Sequence, residues 1–374
     1  MKLQILQENL EKAVTTTSRF ASTRAQLPIL GNILLTTKKS KVYFSSTNLE
    51  ISASVKVGAK IEEEGEVSIP AKVVSELVAN LPHETITLSA EKEQLKVSTS
   101  GFSSTILGMN SSDFPKIPNS IDKEKAMSFS QEGLVKALAQ VLFATSTDET
   151  RPVLTGVLFQ FKKNTLSLVA TDGFRLSRKN LTIKTEEKIP EDVVIPKTVL
   201  GELSRTISDD ENVLLGVQDK EKQVIFGVGD TILSSRLLEG EYPDFEKIIP
   251  KELPIKVLVD KEELMRAVKL ASIFARESAN IVKIKVLKDS VKVSAESGSA
   301  GSQETEVDAK VEGSGVGQKD FEIAFNYKFV EDFIHSVVGE EIKMEFSGVS
   351  TAAVFTDSTD ESYLHLIMPV KIQG

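Results

Sequence analysis

The sequence predicts an α+β protein built of three repeated domains, each of two helices packed on antiparallel sheets. Three observations carry this reading. An amphipathic helix occurs three times along the chain, a second helix recurs at nearly the same offsets, and one strand–turn–strand unit recurs between them. At 374 residues the chain also exceeds what one hydrophobic core ordinarily serves, so several domains are expected.

The first helix is read at 7–22 and returns at 130–145 and 260–276. Leu10, Lys12, Ala13 and Val14 align with Leu134, Lys136, Ala137 and Leu138, and then with Leu264, Arg266, Ala267 and Val268, at offsets of 124 and 130 residues. Leu10, Ala13 and Val14 share one helical face, with Lys12 and Arg19 opposite. Strand-like runs follow at 29–37, 41–46 and 51–57. The second helix opens near Pro70 and Pro196, both expected in the first turn, where a missing N–H costs nothing. Its apolar positions Val73, Val74 and Leu77 align with Val199, Leu200 and Leu203, while the third copy, Phe325 to Phe333, has no proline. Three further runs stand at 85–89, 94–98 and 103–108. Each repeat therefore reads as strand, helix and three strands, done twice. Proline-marked joints at Phe114-Pro115 and from Tyr242-Pro243 to Pro254 divide the chain into domains at 1–121, 122–250 and 251–374. The third copy carries a glycine-rich loop at 297–302.

Within the second copy, 166–176 alternates apolar and polar residues and breaks at Thr171-Asp172-Gly173, where the Asp-Gly pair supplies a turn. Thr47-Asn48-Leu49 stands at the same turn 124 residues earlier.

Composition narrows the function. There is no cysteine, which excludes disulfides and thiolate metal sites. The N-terminus lacks the apolar core of a signal peptide, and no apolar run approaches the roughly 20 residues a membrane span needs. A cytoplasmic protein is expected, so the glycosylation-like triplets at Asn110 and Asn180 carry no weight. Catalytic chemistry is not assembled. The chain has neither a phosphate-binding glycine loop nor a nucleophile elbow, and His83, His335 and His365 have no metal-ligand spacing. A non-enzymatic protein without cofactor or metal is expected.

The net charge is −9, but a total says nothing about one face. Lys12, Arg19, Lys136, Lys197, Arg205, Arg266 and Lys269 lie off the buried stripes of their helices, as an extended basic surface suited to phosphate contact without base reading. A repeat-built interaction scaffold that never touches DNA is the alternative, and a carboxylate-dependent hydrolase on a β-rich fold is a third reading.

Four stretches then point to a family. Leu27-Pro28-Ile29-Leu30-Gly31-Asn32, Ala170-Thr171-Asp172-Gly173-Phe174-Arg175-Leu176, Glu241-Tyr242-Pro243-Asp244-Phe245 and Met368-Pro369-Val370-Lys371-Ile372 resemble, in order and over the whole chain, the bacterial sliding clamps, the β subunits of DNA polymerase III. The resemblance implies a DNA clamp fold, in which two protomers close head to tail into a ring around duplex DNA. Such a ring is opened by an ATP-driven loader and tethers the polymerase. It also implies a partner-peptide pocket walled by Leu154, Thr171, Gly173, Arg175, Leu176, Pro243, Ile248, Leu366, Met368, Pro369 and Val370. Arg24 matches a DNA-contacting arginine of the family. A subunit contact is implied between strands near 103–108 and 303–310, using Ser103, Thr105, Leu107, Glu304 and Glu306, with Ile273 and Phe274 nearby. Phe174, Val370 and Lys371 stand where the family often has His, Met and Arg, and the chain runs on to Gln373-Gly374.

Overall fold

The apolar stripes read from the sequence become six α-helices among the described residues. They are α1 (Gln7–Ser18), α2 (Ala71–Val78), α3 (Gln131–Val141), α4 (Lys197–Thr206), α5 (Lys261–Ala275) and α6 (Tyr327–Ser336). In α1 the buried side chains include Leu10, Ala13 and Val14, in α4 Val199, Leu200 and Leu203, and in α5 Leu264, Val268, Ala271 and Ala275. Burying each large apolar side chain contributes roughly 1.5–3 kcal/mol. α1 stops at Ser18, short of the expected 22. Hydroxyls in its last turn bond back to the backbone, Thr17 Oγ1 to Ala13 O at 2.8 Å and Ser18 Oγ to Thr15 O at 3.0 Å, and Arg19 is the C-cap. α3 also ends early and tightens into a 3₁₀ turn, Leu142–Ala144. α5 runs nearly as expected, capped by Asp260, whose side chain accepts from Glu263 N at 2.9 Å.

Pro70 and Pro196 correct one expectation. Neither lies in a helix; each is the last residue of a strand, Glu66–Pro70 and Val193–Pro196. Both strands sit at a sheet edge, where the missing N–H interrupts no ladder.

The computed structural model describes residues 1–22, 27–183, 191–207, 212–218, 220–313 and 321–371. These fall into two units, Met1–Leu134 with Thr198–Leu237, and Val135–Lys197 with Leu238–Gly374.

The first unit holds two sheets. One has five strands in the order 60–63, 2–6, 85–91, 94–98 and 103–107. The other has eight, in the order 127–129, 213–218, 223–228, 231–236, 51–58, 41–47, 32–38 and 66–70. Leu3, Ile86, Leu88 and Val97 from the first sheet meet Ile33, Leu35, Val42 and Phe44 from the second in one core with α1 and α2.

The second unit holds a twelve-stranded sheet. Its order is 193–196, 156–162, 165–171, 175–182, 360–367, 353–357, 341–346, 255–260, 301–313, 290–297, 281–286 and 321–326. The glycine-rich stretch expected to be a loop at 297–302 is a tight hairpin, with Ser297 opposite Gly301 and Gly301 at φ +96°. Strand Gly301–Gly313 pairs through 301–308 with 290–297 and, through 309–313, with 255–259.

One pairing rule joins successive repeats. Strand Ile51–Gly58 continues antiparallel into Thr231–Arg236, and its counterpart Arg175–Thr182 continues into Asp360–Ile367. In both cases the third strand after a first helix pairs with the last strand of the following repeat. Among the described residues, segment 301–308 has no such neighbour, and strand 103–107, paired on one side with 94–98, leaves its outer edge open.

Candidate partner-peptide site and charged helix faces

The turn at 171–175 is built by its own side chains. Asp172 Oδ1 accepts from Phe174 N at 2.9 Å and Arg175 N at 3.0 Å. Thr171 Oγ1 donates to Arg175 O at 2.6 Å and accepts from Gly173 N at 3.1 Å. Gly173 adopts φ +93°, the left-handed region where a Cβ is strained. The turn then receives the C-terminal segment, because Phe174 O accepts from Met368 N at 2.9 Å. Val370 N donates in turn to Ala324 O at 2.8 Å.

Arg175 lies beneath this turn. Its Nε donates to Asp172 Oδ2 at 3.0 Å, its Nη1 to Asp332 Oδ2 of α6 at 2.5 Å and its Nη2 to Phe143 O at 2.7 Å. The guanidinium also stacks near the Phe143 and Phe329 rings, 5.4 and 4.5 Å from their centroids. With all three nitrogens engaged, Arg175 holds the wall in place from behind.

The floor is apolar. Leu176 and Leu366 are register partners on adjacent strands, both buried, and cluster with Leu158, Val169, Val194, Phe245 and Val354. Tyr242 packs on this cluster and its hydroxyl donates to Val169 O at 3.2 Å; burial pushes the phenol up from its usual range. Leu154 and Thr171 are buried, whereas Ile248 and Met368 stay 48% and 39% exposed and Phe174 is exposed too. A concavity of about 460 Å³ borders the floor, lined by Leu158, Gln160, Val194, Tyr242, Pro243 and Phe245 together with the carboxylates Asp192, Asp244 and Glu246. Of the residues expected as walls, Pro243 alone lines that concavity. Sequence reasoning missed Leu158, Tyr242, Phe245 and Val354. Tyr242 and Phe245 belong to the Glu241–Phe245 motif, which could have found them, and Val354 had no local signal.

The other internal junction has no such floor. Ser52 and Ser234 occupy the places of Leu176 and Leu366, with their hydroxyls 2.6 Å apart, and Ser45 stands where Val169 would be. The same backbone pairing is sealed there by hydroxyls and in the second unit by leucines.

Behind the floor, Lys179 Nζ binds Asp360 at 2.8 and 2.6 Å, and Lys136 Nζ lies 3.3 Å from the same carboxylate. Burial alone would raise the Asp360 carboxyl, but hydrogen bonds from Lys179 and Ser362 and the lysine charge hold it well below the usual range. His365 is fully buried against Phe333, its Nδ1 sharing a 2.7 Å hydrogen bond with Ser177 Oγ. Burial first, and the Arg175 charge second, keep this imidazole neutral far below its ordinary pKa.

Lys12, Arg19, Arg205, Arg266 and Lys269 are all exposed, and of these Lys12, Arg266 and Lys269 make no ion pair among the described residues. Arg19 and Arg205 both bind Glu202, at 2.6 and 2.5 Å, and Lys136 is held by Asp360. Lys197 is half-buried, and burial followed by the neighbouring Arg175 charge lowers its pKa. Arg24 lies outside the described residues, as do Ile372, Gln373 and Gly374.

Of the residues expected at a subunit contact, Leu107 is 68% and Ile273 57% exposed. Ser103 and Thr105 alternate outward with Leu107 along their strand. Phe274 instead packs against its own repeat's core, since successive helical residues point about 100° apart. Glu304 binds Lys292 at 2.8 Å and Glu306 accepts from Ser290 Oγ at 2.6 Å.

Helix pairs on antiparallel sheets, repeated three times and linked strand to strand, define a protein of the DNA clamp fold. Three sequence profiles match in order: DNA polymerase III beta subunit N-terminal domain over residues 1–118, central domain over 128–244 and C-terminal domain over 246–371. The beta sliding clamp of Staphylococcus aureus is 32% identical over 384 aligned residues, covering 99% of both chains, and that of Staphylococcus epidermidis is 30% identical over 383 with the same coverage. The crystal structure of the Bacillus subtilis DNA polymerase sliding clamp superposes with a TM-score of 0.93 at 28% identity, and that of the Thermotoga maritima DNA polymerase III beta subunit with 0.90 at 26%, each covering all of both chains. The chain belongs to the DNA polymerase III beta subunit family, the bacterial sliding clamps.

Proposed function

We propose that this chain is a DNA sliding clamp that closes as a head-to-tail homodimer around duplex DNA and tethers the replicative polymerase. The supporting observation is the pairing rule between repeats. The third strand of each first half pairs with the last strand of the next repeat, twice within the chain, and one strand of each kind keeps an open outer edge among the described residues. Strand 103–107 of one copy beside 301–308 of another continues the rule and removes two exposed edges. Six repeats then form a closed ring, and Lys12, Lys136, Arg19, Lys197, Arg205, Arg266, Lys269 and Arg24 form its phosphate-contacting lining. A clamp of this kind works by topology and needs only weak backbone contact, so a net charge of −9 is no obstacle.

The apolar floor at Leu176 and Leu366, with Met368, Ile248 and Pro243 around it, takes short linear peptides of the polymerase and the clamp loader. The protein itself catalyses nothing, needs no cofactor and acts in the cytoplasm. The domains divide at 121 and 250. Sedimentation at micromolar concentration tests the closure: a species of twice the 40.9 kDa chain mass is expected, and Thr105→Pro, at a position whose N–H faces the open edge because Ser104 is hydrogen-bonded to Val97, should reduce it to monomer. A wild-type monomer would count against the proposal.

A further inference from the structure

Each second helix carries an acid as its sixth residue: Glu76 in α2, Glu202 in α4 and Asp332 in α6. Two of these acids meet a guanidinium supplied by the preceding repeat. Glu202 Oε2 lies 2.6 Å from Nε of Arg19, the C-cap residue of α1. Asp332 Oδ2 lies 2.5 Å from Nη1 of Arg175. The residue aligned with Arg19 in the second repeat is Phe143, 124 positions on, and the Arg175 guanidinium sits over its ring. The same place is therefore filled by a guanidinium at both junctions, from a helix cap in one and from a strand in the other.

Glu76 is exposed and makes no ion pair among the described residues. Under the head-to-tail reading, on which this inference rests, the repeat preceding it is the third repeat of a second copy. There α5 ends with Arg276 as its C-cap, three residues past Ile273, which aligns with Arg19. Three residues is nearly one turn, so Arg276 stays close to the same face. It is exposed, and its Nη2 reaches Ser272 Oγ at 3.4 Å within its own helix.

We infer that Glu76 of each copy pairs with Arg276 of the other, completing at the subunit junctions the acid–guanidinium clasp present at both internal ones. Exposed apolar groups flank both ends: Val73 one turn before Glu76, and Leu270 and Ile273 before Arg276. A docked copy covers them and lowers the local dielectric, which strengthens the pair beyond an exposed surface contact. Lys72 beside Glu76, and Glu277 and Lys269 beside Arg276, are the charges that compete. The recurrence of a C-cap arginine favours Arg276 over Lys269.

Charge exchange tests this on the full chain. Glu76→Arg and Arg276→Glu each set like charges against one another at both subunit junctions. Each alone should raise the dimer dissociation constant about tenfold or more. The double variant restores opposite charges and should recover wild-type dimerisation. A mixture of the two single variants should favour heterodimers by native mass spectrometry, since a head-to-tail heterodimer pairs the introduced arginine with the introduced glutamate and keeps one natural pair. Unchanged thermal melting confirms that the exposed substitutions leave the fold intact. Single variants that dimerise normally, or weakened ones that neither the double variant nor the mixture rescues, would overturn the pair while the dimer stands. A wild-type monomer would overturn the dimer itself.

Discussion

At the scale of single residues, two side chains set measurable limits on the proposed site. Gly173 holds φ +93° with the Arg151 guanidinium 3.2 Å from where a Cβ would stand. Gly173→Ala should cost about 1 kcal/mol or more of stability from the left-handed backbone and should weaken peptide binding in a fluorescence-anisotropy titration. The second residue is His365. Its folded pKa is depressed by burial, so its contribution is fully present above the unfolded value near 6.5. As pH falls below about 6.5 the unfolded chain takes up a proton that the folded site refuses, and stability should drop by about 1.4 kcal/mol per pH unit from this group. Melting temperatures from pH 7.5 to 5 should therefore decline more steeply in the wild type than in a His365→Gln variant. Equal slopes would mean that the imidazole does titrate in the folded protein.

At the scale of elements, the sequence made the helices and their inward faces legible because period and amphipathicity are local. Leu10, Ala13 and Val14 are buried as their spacing requires. Helix ends were less legible, since Thr17 and Ser18 close α1 through bonds that no periodicity encodes. The Asp172-Gly173 turn was visible as a turn, and its place in the site came from the family resemblance. Its fastening through Arg175 to Asp332 joins residues 157 apart and left no trace in either stretch. The floor residue Val354 was hidden for the same reason. The C-terminal segment has its own test. Met368 N is bound to Phe174 O, which fixes the segment beside the turn, where the proposed site has its second wall. Met368→Ala, or removal of the chain from Met368 onward, should abolish binding of a labelled peptide that carries Gln and two large apolar residues. A micromolar dissociation constant is expected for a peptide of this size, about −8 kcal/mol, with a few buried anchors carrying most of it. The same variants should sediment as dimers. Peptide affinity unchanged by the truncation would return the turn to a purely structural role.

At the scale of the whole molecule, the proposed clamp combines a weak electrostatic grip with topological closure. Lys12, Arg266 and Lys269 are exposed and make no ion pair among the described residues, whereas Arg19 and Arg205, also exposed, share Glu202. Replacing the unpaired three by alanine should reduce the salt slope of DNA association by about one unit for each phosphate no longer neutralised, equally for every DNA sequence. Arg19→Ala should reduce it less. The central claim is closure around the duplex, and one measurement addresses it directly. The protein is loaded onto nicked circular DNA by a clamp loader with ATP, free protein is removed by gel filtration, and half the sample is linearised with a restriction enzyme. Retention on the circle and release from the linear form are predicted, because a closed ring slides off a free end. Equal retention on both forms, or no retention on the circle, would contradict encirclement.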